Sequence, residues 1–278
     1  MNIKNLNEIN TNEINREAWN AYQEDYMKIN LLAKPDYYAF YSKGGSMLDA
    51  YEPMISLIGD VKGLKLLATC CACDASQAFS WHNLGAKVTA TDITPKAIEI
   101  AKKSAEIMNL DVEFVIADMQ TFEPIADGQF DIVFAQYPYW IQDFFEACRT
   151  WNRVLKKGGR LLLVADHPIS DCIEEDSTGL HIVQNYNEPS ADWSDTFGGT
   201  PAADRHIGGW SVDLPSVGNF WRISDILNAI CDADFRITKV HEDYDLDEGY
   251  DPIRYKGVEG EPQMKKLPNG FMVLAVKQ

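Results

Sequence analysis

Short apolar runs alternate with amphipathic stretches from Leu64 to Ala165. Leu64, Leu66 and Leu67 form the first run, followed by Ala86 to Thr91, Val112 to Ala117, Ile132 to Ala135 and Arg160 to Ala165, each the length of a buried strand. Helices are predicted between them. Ala75 to Leu84 stops at Gly85, which suits a left-handed cap; Thr94 and Pro95 open a helix packed through Ala97, Ile98, Ala101 and Ala105; Phe144 to Leu155 closes on Lys156-Lys157-Gly158-Gly159. Strands that alternate with helices predict an α/β fold with a doubly wound, Rossmann-like parallel sheet covered on both faces.

Outside this rhythm the pattern changes. Residues 1 to about 12 are polar and predict a frayed terminus. From Ile14 to Leu32, the residues Trp19, Tyr22, Tyr26 and Ile29 share one face of a helix, either a docking face or a lid whose rings close over a ligand. Met47 to Ile58 predicts a short helix. Ile169 to Phe220, with Trp193 and Trp210, is too long for a connection and too polar for core, so it reads as a cap inserted over the strand ends. A helix over Arg222 to Ile230, a strand over Arg236 to His241, an acidic tyrosine-rich loop and a last strand over Phe271 to Val276 complete the chain. The expected organisation is a helical lid (1–46), a cofactor-binding core (47–168), a cap (169–221) and the C-terminal part of the core (222–278).

Composition narrows the function. The 278 residues are 46% hydrophobic and 24% charged, ordinary for a globular chain, and the formal net charge of −17 disfavours nucleic acid and anionic membranes. Neither a signal-like leader nor a run of spanning length is readable, so a cytoplasmic location and a small-molecule partner are expected. The six cysteines do not form a disulfide framework, and Cys70, Cys71 and Cys73 sit in one turn. Adjacent thiols rarely converge on a metal, so these read as small packing groups and no metal site is expected.

The chemistry gathers at the strand ends. The turn Thr69 to Cys73 is slim enough for a ligand to approach its backbone, at the switch point where cofactors bind. Asp92 ends the second strand some 20 residues later, the arrangement in which an acid accepts both hydroxyls of a ribose. Asp118 ends the third strand, Gln136-Tyr137-Pro138-Tyr139-Trp140 follows the fourth, and His167 follows the fifth, where it is a candidate general base.

Three segments carry a family resemblance: Gly85 to Pro95, Phe130 to Ala135, and Arg153 to Leu161. In this order and spacing the chain resembles the class I S-adenosylmethionine-dependent methyltransferases, in the small-molecule branch with an N-terminal lid and a late cap. The resemblance implies a seven-stranded sheet ordered 3-2-1-4-5-7-6 with the last strand antiparallel, and S-adenosyl-L-methionine as cofactor. It implies contacts from Thr69, Cys71, Cys73, Asp92 and Ile93, with Asp118 and Met119 bordering adenine and Gln136 beside the reactive methyl. The family's first motif, an acid followed by three alternate glycines, falls on Leu67, Thr69, Cys71 and Cys73, none of which is acid or glycine. Direct methyl transfer to a small, possibly aromatic metabolite held by Trp19, Tyr22, Tyr26, Tyr139 and Trp140 is the expected activity. Two alternatives stand beside it: a non-methylating or ligand-binding protein on this fold, and an amine N-methyltransferase using the Gln136 to Tyr139 loop, which resembles N/D-P-P-Y/F.

Overall fold

The computed structural model describes residues 10–50, 52–183, 185–187, 214, 216–242 and 263–278. Trp193, His206, Trp210 and the tyrosine-rich loop beyond Glu242 lie outside the described residues. The apolar runs become β1 (Lys65–Ala68), β2 (Lys87–Asp92), β3 (Glu113–Ile116), β4 (Phe130–Gln136), β5 (Leu155–Asp166), β8 (Phe235–Glu242) and β9 (Gly270–Lys277), with a hairpin, β6 (Ile173–Asp176) and β7 (Gly179–Ile182), inside the cap region. The sheet runs β3-β2-β1-β4-β5-β9-β8, which is the expected order once the hairpin strands are set aside. Strands β1 to β5 pair in parallel, and β9 is antiparallel to both its neighbours.

Period-two alternation sorts the sheet's side chains into two cores. Leu66 and Ala68 join Phe79, Trp81 and Ile98 on one face, whereas Leu67 joins Phe144, Trp151 and Ile230 on the other. Helices α4 (Ser76–Asn83) and α5 (Pro95–Met108) supply the first face, and α6 (Phe144–Val154) and Ile223–Asp232, here α8, supply the second.

Four local expectations change. Met47 to Ile58 is a 3-10 turn (Met47–Ala50) followed by α3 (Glu52–Ile58). Helix α6 ends at Val154, because Leu155 already pairs with Phe130; the register then jumps to Arg160 against Ile132, and the intervening Lys-Lys-Gly-Gly loops out with Gly158 left-handed. Thr94 precedes α5 without capping it by its side chain, since its hydroxyl donates to Asp92 instead. The N-terminal helix α1 (Thr11–Ala33) begins earlier than the polar composition suggested, with the Asn10 side chain accepting from the Glu13 amide.

Candidate active site

The loops at the carboxyl ends of β1 to β4 converge beneath α1. Its buried residues are Thr11, Asn15, Ala18, Tyr22, Gln23 and Met27, a stripe that is half polar. Loop backbones need partners, and polar side chains of the helix provide them. Gln23 Oε1 accepts from the Cys73 amide at 3.0 Å, and the Cys73 thiol donates to the Gln23 carbonyl at 3.2 Å. Asn20 accepts from the Lys96 amide, Asn12 donates to Asp118 at 2.7 Å, and the Thr11 hydroxyl donates to Gln142. Toward the cap, Asn15 exchanges two hydrogen bonds with Val217, and Tyr22 both donates to and accepts from the Leu214 backbone. Helix α1 thus touches the loop after each of four strands; its tyrosines were legible in the sequence, its amides were not.

Asp92 ties two of those loops together. Its Oδ2 accepts from the Ala72 amide at 2.9 Å, and its Oδ1 accepts from the Thr94 amide at 2.9 Å and hydroxyl at 2.8 Å. The side chain is buried, and burial raises its pKa above the ordinary carboxylate value despite these bonds. Asp118, half-buried, is raised for the same reason and accepts from the Gln120 amide as well as from Asn12. Ile93 is half-buried next to Asp92, and Met119 is buried with its carbonyl accepting from Trp151. Two carboxylates at adjacent strand ends, with unshared lone pairs, suit the hydroxyls and exocyclic amine of an adenosine.

The β1 turn has its left-handed residues beside, not at, the positions where the resemblance puts glycines. Left-handed backbone occurs at Cys70 (φ 49°), Ala72 (φ 52°) and Ala75 (φ 43°), rather than at Thr69, Cys71 or Cys73. Each such non-glycine residue stores about 1–2 kcal/mol. Thr69 is buried, with its hydroxyl accepting from the Gln136 amide, and the Cys71 amide donates to Thr91. Burial raises the pKa of all three thiols, so they are neutral near pH 7. Among the described residues no three His, Cys, Asp or Glu side chains form a metal-holding group.

Leu67 is fully buried in the sheet, so β1 ends without an acid. The turn carries a carboxylate of its own in Asp74, which follows the thiols instead of preceding them. Asp74 is half-buried, accepts from the Ser76 hydroxyl, and takes the Tyr37 hydroxyl on its backbone carbonyl. Burial raises its pKa, and its charge in turn is the foremost cause raising that of Tyr26.

Rings connect α1 to the loop after β4. Tyr137 stands edge-on to Tyr139 at 5.8 Å, Tyr139 to Trp140 at 5.1 Å, Trp140 to Trp19 at 5.3 Å, and Trp19 to Tyr22 at 5.8 Å. Tyr137 is itself left-handed, at φ 55°. Beside Tyr139 lies a crevice of about 20 Å³ bounded by Pro138, Asp166, Asn219, Phe220 and Trp221, room for one water. His167 is buried with both ring nitrogens engaged: Nδ1 accepts from the Ile169 amide at 3.1 Å, and Nε2 faces Glu242 at 3.3 Å. It caps the short helix α7 (Pro168–Asp171), so service as a base would require giving up one of these bonds.

Residues 68–163 match the family model described as a methyltransferase domain. The demethylmenaquinone methyltransferase of Thermus thermophilus is 35% identical over 85 residues, covering 30% of this chain and 38% of that protein. Among solved structures, an S-adenosylmethionine-dependent methyltransferase from Mesorhizobium loti superposes with a TM-score of 0.60 at 15% identity, covering 82% of this chain and 97% of that one. The [4+2]-cyclase SpnF superposes with a TM-score of 0.52 at 16% identity, covering 82% of this chain and 81% of that one. At such identities the superpositions establish fold, and that fold is the Rossmann-like methyltransferase sheet. Residues 68–163 thus carry the methyltransferase-domain match, and the sheet as a whole has the fold of S-adenosylmethionine-dependent methyltransferases. No helix among the described residues is long and apolar enough to cross a membrane.

Proposed function

We propose that the protein is a cytoplasmic methyltransferase that binds S-adenosylmethionine across the ends of β1 to β4 and methylates a small conjugated metabolite between α1, the β4 loop and the cap. The observation that carries this reading is the Asp92 carboxylate, buried where the β1 and β2 loops meet and keeping lone pairs for a ribose. Asp118 and Met119 border the adenine, Gln136 lies beside the transferring carbon, and Asp74 replaces the absent acid of β1 as tether for the cofactor's ammonium. Cys71 and Cys73 pack as neutral thiols, and Trp19, Tyr22, Tyr26, Tyr139 and Trp140 enclose the acceptor. When bound, the cofactor would supply a methyl on a positive sulfur, open to in-line displacement by an acceptor lone pair with the neutral thioether as leaving group. Positioning and exclusion of water by α1 supply much of the acceleration.

Calorimetric titration with S-adenosylmethionine and S-adenosylhomocysteine tests the cofactor; absence of binding by both overturns the reading. Incubation of the bound protein with a metabolite extract and methyl-labelled cofactor tests transfer. A second reading, a protein that binds the cofactor without methylating, is favoured by the strained, glycine-free turn and the missing acid. It predicts binding without label transfer. The amine-methylating alternative predicts label appearing on an amine.

A further inference from the structure

Three tryptophans border the lid and second core, and the fold treats them differently. Trp151 Nε1 donates to the Met119 carbonyl at 2.9 Å, and Trp221 Nε1 donates to the Ile141 carbonyl at 3.2 Å. Trp19 Nε1 is shielded from solvent and has no acceptor among the described residues. An indole N–H can only donate, and leaving one buried without a partner costs about 1–3 kcal/mol. Trp81 is orphaned too, but it is fully enclosed in the first core against the Phe134 ring at 5.2 Å, with no seam between elements to admit a ligand.

Trp19 is placed otherwise. Its side chain is partly exposed, on the lid helix and in edge contact with Trp140 of the β4 loop. The neighbouring polar groups of α1 are occupied by backbone near residue 217, Tyr22 by Leu214 and Asn15 by Val217, so neither supplies the missing acceptor. The adjoining loop carries the left-handed Tyr137, and strain of this kind collects at ligand sites.

Building on the methyltransferase reading, we propose that the Trp19 indole N–H donates to a neutral oxygen of a flat, conjugated substrate lying along Tyr139 and Trp140. The donor requires an acceptor atom on the ligand. The two rings favour a planar body, since aromatic faces and edges attract one another. The net charge of −17 disfavours an anionic ligand, so the oxygen is taken as neutral. A ketone, quinone or phenol meets these requirements; a saturated or purely hydrocarbon acceptor does not.

The test uses full-length protein with 15N-labelled tryptophan and saturating S-adenosylhomocysteine, the Trp19 signal being assigned by its loss in Trp19→Phe. Titration with 2-acetylnaphthalene should move that signal downfield, whereas 2-ethylnaphthalene, of similar shape without the oxygen, should not. Trp19→Phe keeps a ring but no donor; it should weaken the ketone about 2- to 12-fold, as for a neutral hydrogen bond, and leave the hydrocarbon unchanged. Equal shifts with both probes, an unmoved Trp19 signal, or failure of the ketone to bind overturns the proposal. A downfield, exchange-protected Trp19 signal in the ligand-free protein also overturns it. Should the variant not fold, the Trp19 signal is assigned in the wild-type protein by its through-space contact with the Trp140 ring, and the wild-type titration is read as before. Cofactor binding, measured beforehand without probe, reports separately on the methyltransferase reading.

Discussion

Asp92→Asn separates the two jobs assigned to this carboxylate. An amide of the same shape retains one oxygen, which can still accept from Thr94, but it turns an NH₂ toward the Ala72 amide. That buried donor then lacks an acceptor, a loss of about 1–3 kcal/mol. An opposing effect reduces this. Because burial raises the folded pKa of Asp92, the folded state holds its proton to higher pH than the unfolded chain does. The contribution of Asp92 to stability is therefore greatest at low pH and falls as pH rises from the ordinary carboxylate pKa through the raised one. The amide carries no such cost, so near neutral pH the net destabilisation should be only about 0–2 kcal/mol. Cofactor affinity has no comparable offset: charge-assisted bonds to the ribose are worth about 1.5–3 kcal/mol, or roughly 10- to 150-fold in Kd. Calorimetric titration with S-adenosylhomocysteine, beside urea unfolding at acid and neutral pH, reads both quantities. Unchanged affinity with reduced stability would refute the cofactor role and leave Asp92 as a tie between loops.

Further outcomes are expected elsewhere. Burial raises the pKa of Cys73 and Cys148, so each should cost about 1.4 kcal/mol of stability per pH unit above its unfolded value, and Tyr37, raised likewise, should add its share only above about pH 10; urea midpoints that stay flat from about pH 9 to pH 11 would contradict this. Asp74→Asn should weaken S-adenosylmethionine more than its analogue lacking the amino group, and equal weakening in parallel titrations would remove the tether role. His167→Asn keeps a helix-capping side chain, so turnover with any acceptor found by label transfer should survive within a few-fold; a drop of about 100-fold or more without loss of stability would identify His167 as a base. Glycine at Cys70 or Ala72 should change stability by about 0 to +1.6 kcal/mol, strain relief less the entropy gained by the unfolded chain. Glycine at Cys73, which is buried and donates to Gln23, should instead destabilise.

How far the sequence discloses this site depends on what kind of interaction builds it. The sheet was legible because each strand buries a contiguous apolar run, and Asp92 and Asp118 were legible because they end such runs. Helix α1 was legible only in its rings. Periodicity searches for an apolar stripe, whereas α1 settles on loop backbones whose free amides and carbonyls are satisfied by Asn15, Asn20 and Gln23. Those residues look like solvent-facing polar positions until the strand ends beneath them are known. The conformation of the β1 turn was not legible for a related reason. Small residues announce a turn but not its phase, since Thr69 to Cys73 are all compatible with either register. The phase is set from outside the turn, by Asp92 receiving the Ala72 amide, Thr91 receiving the Cys71 amide and Gln23 receiving the Cys73 amide. Cys70 and Ala72 adopt left-handed backbone while these contacts hold their neighbours in place, so the strain belongs to the assembled strand ends and lid more than to the turn's own composition.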